Sequence, residues 1–494
     1  FKQMKDKKII NIVLGWLVFL IASITYFLTL EPTVSWWDCG EFIISAYKLE
    51  VGHPPGAPFF MILGKVFSLF ASSKEHVALT VNALSALASA GTVMLLYWSI
   101  VHLAQNLFKN EKTTVTQQIV CWGSGLVGAL AYTFSDTFWF SAIEAEVYAL
   151  SSLFTAAVFG AMLKWESVAD QKHNGRWLIL IAYLLGLSIG VHLLNLLALP
   201  ALGLIFYFKR YTFSWKGFLS SIVISSGILL IILYVIIPGF PALAFTVDKL
   251  VVNQLGMPFN SGVYIVFFLI ISLLSAGIYW TIKRKSPVWN AALTVLTVIM
   301  IGYSSYGLII IRSSADTPMN QNQPDNAFNL LKYLNREQYG NRPLFYGRYY
   351  NAPAEKMDGK KKQYNKVNGK YEVTGTLPEK IIYNDKIQTY FPRMYSDEPH
   401  HVREYKSWAN IKGKPVRVRV NGEVKTIYKP TFTENLRFLF SYQLGHMYFR
   451  YFMWNFAGRQ NDIQGHGSFL NGNWISGIPF LDKIRLGSQE QLPS

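Results

Sequence analysis

The sequence is poor in charge and in cysteine. Only 15% of its 494 residues are charged and 51% are hydrophobic, whereas a typical soluble domain carries about 25% charged residues. The two cysteines, Cys39 and Cys121, cannot form a disulfide framework unless they pair with each other, and we expect two free thiols. The composition therefore argues against an ordinary soluble domain and against a disulfide-stapled secreted one.

Motifs for metal and nucleotide binding are missing as well. The sequence has no HExxH, no cluster of Cys and His, no Asp-rich calcium loop and no Walker loop. We expect no metal, no nucleotide-driven chemistry and no nucleic-acid partner.

Long apolar runs are absent from the C-terminal part, where no uncharged stretch after Arg312 could cross a bilayer. That part holds 27 Lys and Arg against 16 Asp and Glu, which is +11 of the formal +17. The sequence predicts a polytopic α-helical membrane domain over residues 1–311. A basic, mixed α/β soluble domain is expected over residues 312–494, followed by further C-terminal regions.

About nine membrane spans are predicted. Seven come from apolar runs of about 20 residues: Ile9–Leu30, Val77–Ala104, Gln118–Phe134, Ser141–Leu163, Phe218–Ile237, Val263–Ile282 and Val288–Ile311. The stretch Trp177–Phe208 is too long for one span, and we expect two short helices that meet on the far side. No other count places all five basic segments on one side of the membrane: the N-terminus with Lys2 and Lys5, and the loops that begin at Lys109, Lys164, Lys209 and Lys283. The N-terminus is then cytoplasmic and the soluble domain lies outside the cytoplasm.

The soluble region shows mixed local signals. DNAFNLLKYLNREQYG has a helical period, and PVRVRVNGEVKTIYKP alternates around Asn421-Gly422, which predicts a β-hairpin. Its lysine-rich middle, Lys356 to Lys370, is expected to be a mobile, solvated loop. YFRYFMWNFAGRQND either packs on the membrane face or guides an acceptor, or else forms an aromatic domain core.

Three outer loops concentrate unusual polar residues. In the first, Asp38 and Glu41 have i, i+3 spacing, which suits two carboxylates that serve one site; the alternative is solvated charges, with Asp38 as a helix cap. Trp36 and Trp37 are interfacial anchors or a sugar-stacking platform. HPPG at His53–Gly56 predicts a rigid turn. The functional alternative is that His53 contacts a phosphate or the substrate.

The second loop, SDTFWFSAIEAEVY, holds Glu144, Glu146 and Tyr148 and no basic residue. Carboxylates near membrane depth are costly and are usually kept for a function; the alternative is a polar helix cap. Spacing i, i+2 places the two glutamates on different helix faces, so at most one should point inward. In the third loop, His192 and Asn195 are either an interhelical pair or ligand contacts.

The first loop resembles a known membrane family. WWDCGEFIISAYKLEVGHPPGAPFF is similar to the D-x-G-E…HPPG-x-P pattern of a family that includes large Bacteroidetes-type bacterial proteins and a vertebrate transmembrane protein O-mannosyltransferase. AEVYALSSLF, RSSADTPMNQNQPDNAFNLLKYLNREQYG, FPRMYS and YFRYFMWNFAGRQND resemble further motifs of the bacterial branch. Such proteins are similar to C-type glycosyltransferases, which take sugar from a polyprenyl-phosphate carrier on the non-cytoplasmic side.

This resemblance implies a function and a site. A Ser or Thr hydroxyl of an exported protein would attack the anomeric carbon with inversion, with Asp38 or, second, Glu41 as general base. Arg312 is the first candidate to bind the leaving phosphate, followed by Arg450 and Arg459. The remaining substrate-contact candidates are His53, Glu144, Glu146, Tyr148, His192 and Asn195. No cofactor is implied besides the polyprenyl-phosphate-linked sugar, which is the donor substrate; mannose is suggested by the vertebrate relative.

The resemblance also implies a location in the bacterial inner membrane, with a periplasmic soluble domain and lipid, donor and exported acceptors as partners. A different reading is a non-catalytic subunit or scaffold of an envelope or protein-secretion complex. A transporter would need polar residues deep in several spans, and these spans are mostly free of them.

Overall fold

The fold was analysed in a computed structural model of the chain. It describes residues 2–108, 114–340, 342–378, 380–420 and 422–488, with side chains from Lys7 onward. Lys109, Asn421 and the side chains of Lys2 and Lys5, which entered the predictions above, lie outside the described residues.

The chain divides into two compact units. One comprises Phe1–Gln338 with Asn368–Lys370, and the other comprises Tyr339–Val367 with Tyr371–Ser494. We expected the soluble domain to begin at residue 312, but this division keeps residues 312–338 in the first unit. The physical reason is that this segment bonds to the loop after the first span, as described below.

The regular structure of residues 2–338 that the structure describes is helical, apart from one isolated backbone bridge. Its helices in chain order are α1 (Lys2–Leu28), α2 (Cys39–Lys48), α3 (Pro58–Ser68), α4 (Val77–Asn106), α5 (Val115–Thr133), α6 (Asp136–Ala142), α7 (Val147–Val168), α8 (Gly175–Ile189), α9 (Leu199–Arg210), α10 (Trp215–Ile231), α11 (Ile237–Leu255), α12 (Ser261–Lys283), α13 (Pro287–Tyr303), α14 (Gly307–Ser314) and α15 (Ala327–Leu334).

Seven of the described helical segments are long and apolar enough to cross a membrane. Each coincides with a predicted span, which confirms the polytopic helical membrane class. The two other predicted crossings fall on α5 and α8, and α8 has only 15 residues, fewer than the roughly 20 that a span needs. The long stretch Trp177–Phe208 does split into two short helices, α8 and α9, separated by a turn and a 3-10 segment at Leu193–Ala198.

Local sequence explains several helix boundaries. A capping box between Thr114 and Gln117 starts α5. The register of the helix changes from α10 to α11 through a π turn at Ile232–Ile236, directly before Pro238 and Pro241, which have no N–H to continue the ladder.

Small residues permit close helix packing in this unit. A Cβ added to Gly186 in α8 would lie 2.7 Å from the backbone oxygen of Ile299 in α13, and a Cβ on Gly302 would collide with the backbone of α8. Backbones that approach this closely give van der Waals contact where no hydrophobic force acts between helices in lipid. Both cysteines are buried and free, as predicted.

The second unit mixes short strands and helices. Its strands form two-stranded sheets: β1 (Tyr346–Arg348) with β6 (Gln388–Tyr390), β2 (Ala354–Asp358) with β5 (Lys380–Tyr383), β3 (Lys361–Val367) with β4 (Lys370–Leu377), β7 (Lys414–Val420) with β8 (Glu423–Lys429), and β9 (Gly458–Arg459) with β10 (Trp474–Ile475). The helices are α16 (Pro399–Ala409), α17 (Phe432–Phe438), α18 (Arg450–Trp454) and α19 (Pro479–Leu486), with a π segment at Leu439–Phe449 before α18.

One expectation for this unit is confirmed and one is wrong. The predicted hairpin exists as β7 and β8, paired from Lys414 and Lys429 to Val420 and Glu423. The lysine-rich segment is not a loop but forms β2, β3 and the start of β4. Asn368 and Gly369 both have positive φ, 48° and 79°, the conformation of a two-residue hairpin turn, and the flanking lysines lie on exposed strands.

Candidate active site

The loop after α1 folds into a short helix that carries both candidate carboxylates. Asp38 is the N-cap residue of α2, and Glu41 lies in its first turn. The Asp38 side chain is exposed, as expected for a solvated charge, but it makes no capping hydrogen bond, so the expectation that it caps the helix through its side chain is wrong. The Glu41 side chain is only 20% exposed. Although one helix holds both, the two carboxylates have different surroundings.

Glu41 is held by hydrogen bonds to both of its oxygens. Its Oε1 accepts the backbone N–H of His53 at 2.6 Å and lies 2.8 Å from His53 Nδ1. Its Oε2 accepts a hydrogen bond from Gln321 Nε2 at 3.1 Å. Such charge-assisted contacts fix the position of the carboxylate.

The electrostatics of this pair favour the charged forms. Burial alone would raise the pKa of Glu41, but the hydrogen bonds and charge of His53 and the amide of Gln321 outweigh it and lower the pKa. The hydrogen bond to Glu41 raises the pKa of His53 against the effect of burial, and the charges of Asp38 and Glu146 add to the rise. Asp38, Glu41, His53 and Glu146 therefore form one electrostatic cluster.

The HPPG segment forms the predicted turn. Gly56 has a φ of 71° and its N–H donates to the His53 carbonyl at 2.8 Å, and the Pro54–Pro55 peptide is cis. The Tyr333 hydroxyl, from α15, donates to the carbonyls of Gly52 at 2.6 Å and His53 at 3.2 Å. Tyr333 thus fixes the backbone that presents His53 to Glu41.

The segment after the last predicted span bonds to the same loop. Val51 donates to the Met319 carbonyl and accepts from Gln321 N–H, each at 3.0 Å, in a parallel bridge. Arg312 donates to the carbonyls of Leu49 at 2.6 Å and Lys48 at 3.1 Å. Its guanidinium therefore lies at the C-terminal end of α2, where a cation is favourable; a contact with the leaving phosphate stays a prediction.

Glu144 and Glu146 differ from the expectation that at most one points inward. Both are buried, with 4% and 7% exposure. The expectation was wrong because residues 143–146 are not helical: α6 ends at Ala142 and α7 begins at Val147. Away from helical geometry, i, i+2 spacing no longer places two side chains on different faces.

Both glutamates are shifted toward their neutral forms. Burial raises the pKa of Glu146 to about 7, and the charges of Asp38 and Glu144 add to it, although the Val147 N–H that Glu146 caps acts in the opposite direction. Burial also raises the pKa of Glu144 against hydrogen bonds from Ser35 and Cys39. Within the described residues, Oε2 of Glu144 has no hydrogen-bond partner. A carboxyl group that titrates near neutral pH, such as that of Glu146, can both take up and release a proton, which suits it to proton transfer.

Tyr148, at the start of α7, and His192 of the third loop lie next to each other. The rings of Tyr148 and His192 are 5.5 Å apart, and the charge of Arg336 acts on both. Burial lowers the pKa of His192, and Arg336 lowers it further. Asn195 accepts hydrogen bonds from Ser151 and Thr155 on α7 at 2.9 and 2.6 Å, so it is an interhelical contact.

Arg450 and Arg459 lie in the second unit. Arg450 is buried and donates to the carbonyls of His446, Gly465 and Gly472. Arg459 lies over the Trp454 ring at 4.1 Å and pairs with Asp462 at 3.8 Å. Contacts of either residue with substrate stay predictions.

No group of three or more His, Cys, Asp or Glu side chains within the described ranges could hold a metal ion.

Three residues of this cluster were not among the candidates. Gln321, Tyr333 and Arg336 follow the last predicted span: Gln321 and Tyr333 bond to the first loop, and the charge of Arg336 lowers the pKa of His192. The polar run MNQNQPDN after the apolar stretch is the signal that could have indicated them.

Comparison with known proteins relates the membrane unit to one family. Residues 38–215 match the family model described as protein O-mannosyl-transferase TMEM260 N-terminal domain. This range starts at Asp38 and contains Glu41, His53 and the second- and third-loop candidates. Residues 340–440 match a family of unknown function, DUF8416.

Two curated relatives share this first region. The protein O-mannosyl-transferase tmem260 of Dictyostelium discoideum is 32% identical over 157 residues, which are 32% of this chain and 17% of the relative. The protein O-mannosyl-transferase TMEM260 of Mus musculus is 28% identical over 173 residues, 35% of this chain and 22% of the relative. The match thus spans about a fifth of the length of these relatives. No solved structure matches the chain. The chain is related to the TMEM260 O-mannosyl-transferases through its first loops and spans.

Proposed function

We propose that the chain is a membrane glycosyltransferase that moves mannose or a similar sugar from a polyprenyl-phosphate carrier to Ser or Thr of exported proteins. The names of the related proteins support O-mannosyl transfer. The observation that carries the assignment of the site is the contrast between two carboxylates: Glu41 is bonded through both oxygens, whereas Asp38 is exposed at the start of α2.

Asp38 is the general base in this proposal. Its carboxylate accepts the proton of the acceptor hydroxyl while the hydroxyl oxygen forms a bond to the anomeric carbon and the bond from that carbon to the carrier phosphate breaks. Attack from the face opposite the phosphate inverts the anomeric centre. Glu41 is a positioning residue, because its hydrogen bonds to His53 and Gln321 link α2 to the HPPG turn and to the segment before α15.

The leaving polyprenyl phosphate is an anion and requires a cation close by. Arg312 is one candidate, although its guanidinium is bonded to two carbonyls. Arg336, whose positive charge acts on Tyr148 and His192, is a second. Glu146, with a pKa of about 7, can hold a proton between donor and acceptor groups. The reaction takes place on the non-cytoplasmic side of the bacterial inner membrane, where carrier and exported chains meet.

The test is glycosylation of exported proteins in cells that carry wild type, Asp38→Asn or Glu41→Gln at matched membrane levels. We expect Asp38→Asn to abolish one class of glycan at normal protein level and Glu41→Gln to reduce it together with stability. Normal glycosylation by both variants would overturn the proposal and favour a scaffold, for which co-purification would identify partners.

A further inference from the structure

A pocket with several polar lining residues lies at the end of the membrane unit opposite the candidate active site. It has a volume of about 320 Å³ and is lined by residues of α1, α4 and α7, including Asn11, Trp98, His102, Gln105, Gly160 and Lys164. Asn82, near the start of α4, bonds to the carbonyls of Glu31 and Thr33 in the first loop. His102 is about 30 Å further along α4 at 1.5 Å per residue, so the pocket is one hydrocarbon thickness from the candidate active site.

Some polar groups of the lining already have a partner within the protein, and for two others none is seen among the described residues. His102 Nε2 is 2.9 Å from Glu166 Oε2, and Asn11 accepts hydrogen bonds from the Tyr97 hydroxyl and the Trp98 indole. For the Lys164 ammonium and the Gln105 side-chain amide, no ion pair or hydrogen bond is seen within the described part of the chain. Two donors at the mouth of a pocket between spans suit an anionic oxygen group.

The position of the pocket indicates which class of anionic ligand it would bind. Lys164 is exposed and stands four residues before the end of α7, in the segment that the charge distribution predicts to be cytoplasmic. On α1, which contributes Asn11 to the pocket, the flanking residues Ile10 and Ile12 are exposed and apolar, which suits acyl chains. Basic pockets between helices at this level bind phospholipid headgroups.

We infer that this pocket binds the phosphate of a phospholipid headgroup, with Lys164 and Gln105 as donors and the acyl chains along α1. This inference does not depend on the proposed transferase activity. Bound lipid would join three helices whose other ends carry the candidate active site.

Gly160 offers a direct way to fill the pocket. A Cβ built there would have Leu95 Cδ2 as its nearest neighbour at 3.9 Å, an ordinary contact, so Gly160→Leu places its side chain in the pocket without a backbone clash. Lys164→Gln removes the charge and leaves a shorter, neutral polar side chain. Lys172→Gln removes an exposed charge from the loop after α7, outside the pocket, and is the matched control.

The experiment is native mass spectrometry of the purified full chain with phosphatidylglycerol as the probe. We expect wild type and Lys172→Gln to retain the lipid, Lys164→Gln to weaken binding about fivefold, as one lost basic contact predicts, and Gly160→Leu to abolish it. Thermal unfolding of each variant checks that it is folded.

Two further probes separate the possible sources of the phosphate. Diacylglycerol, which lacks the phosphate, should not be retained, and millimolar inorganic phosphate should not displace the lipid. Equal retention of diacylglycerol, or equal binding of phosphatidylglycerol by wild type and Lys164→Gln, would overturn the inference. Displacement of the lipid by inorganic phosphate would contradict the lipid assignment and indicate that the pocket binds a free anion.

Discussion

His53 Nδ1 lies 2.8 Å from Glu41 Oε1, and the same oxygen accepts the backbone N–H of His53 at 2.6 Å. A residue that contacts one carboxylate oxygen through both its ring and its backbone fixes the distance between the HPPG turn and α2. The pair therefore organises the loop, and its loss has consequences for stability as well as for activity.

Glu41→Gln should destabilise the protein, because an amide cannot match a carboxylate that accepts charged and backbone donors. We expect a loss of about 1–3 kcal/mol in unfolding free energy. Asp38→Asn, at an exposed side chain without a capping bond, should change it by less than about 0.5 kcal/mol. Thermal unfolding of the two purified variants measures the difference; equal losses would contradict the division into base and positioning residue.

Glu146 predicts a pH dependence of stability. Its folded pKa of about 7 exceeds its ordinary value of 4.5, so the folded state binds the proton more tightly than the unfolded state. Its contribution is complete below pH 4.5 and is lost as the pH rises through 7, by no more than about 3 kcal/mol. Unfolding curves from pH 5 to 8 should decline less steeply for Glu146→Gln than for wild type; parallel curves would exclude this assignment.

Gly52→Ala should disturb the site without unfolding the protein. A Cβ at Gly52 would collide with Glu41 Oε1, so the carboxylate must leave its position or the turn must shift. Gly123→Ala, whose Cβ meets no atom within 4 Å, is the control and should be neutral or slightly stabilising in its helix. Glycan transfer in cells, normalised to membrane protein level, should fall at least tenfold only for Gly52→Ala.

Tyr333→Phe removes the hydroxyl that donates to the Gly52 and His53 carbonyls. We expect a loss of about 1–2 kcal/mol in unfolding free energy, since Tyr333 is fully buried and the Gly52 carbonyl loses its hydroxyl donor. The His53 carbonyl keeps the hydrogen bond from the Gly56 N–H. Tyr234→Phe, on the exposed surface of the π turn, should have no measurable effect in the same unfolding assay. If Tyr333→Phe had the same unfolding free energy as wild type, α15 would not stabilise the HPPG turn.

Arg450→Met should loosen the second unit. The buried guanidinium bonds to the Gly465 and Gly472 carbonyls and lies over the Trp454 ring at 4.7 Å, and its loss should cost about 2–4 kcal/mol. Limited proteolysis of the full chain should cut faster within residues 455–475 than in wild type. Arg419→Met, at an exposed strand position, is the control and should show the wild-type pattern.

Much of the membrane unit could be predicted from the sequence, because apolar runs as long as a bilayer is thick have few other uses. The first-loop carboxylates and the HPPG turn were also predicted. The burial of both Glu144 and Glu146 could not be, since a break of four residues between two helices leaves no periodic signal. The strands over the lysine-rich segment were missed because its charge outweighed the Asn368-Gly369 turn in our interpretation.

The partners of the first loop were beyond prediction for another reason. Gln321 and Tyr333 lie some 280 residues from Glu41 and Gly52 along the chain, and no local pattern indicates a contact across that separation. The environment that distinguishes Asp38 from Glu41 depends on these distant residues. Spacing alone therefore could not assign the two roles.

The bridge between Val51 and Asn320 also has a consequence for synthesis, because its two residues are made at very different times. Everything up to Tyr306 can enter the bilayer while Glu41 still lacks Gln321 and the HPPG turn still lacks Tyr333. The nascent chain thus carries its first-loop carboxylates long before they are organised. The loop that was made first gains these contacts only when residues 319–333 have emerged.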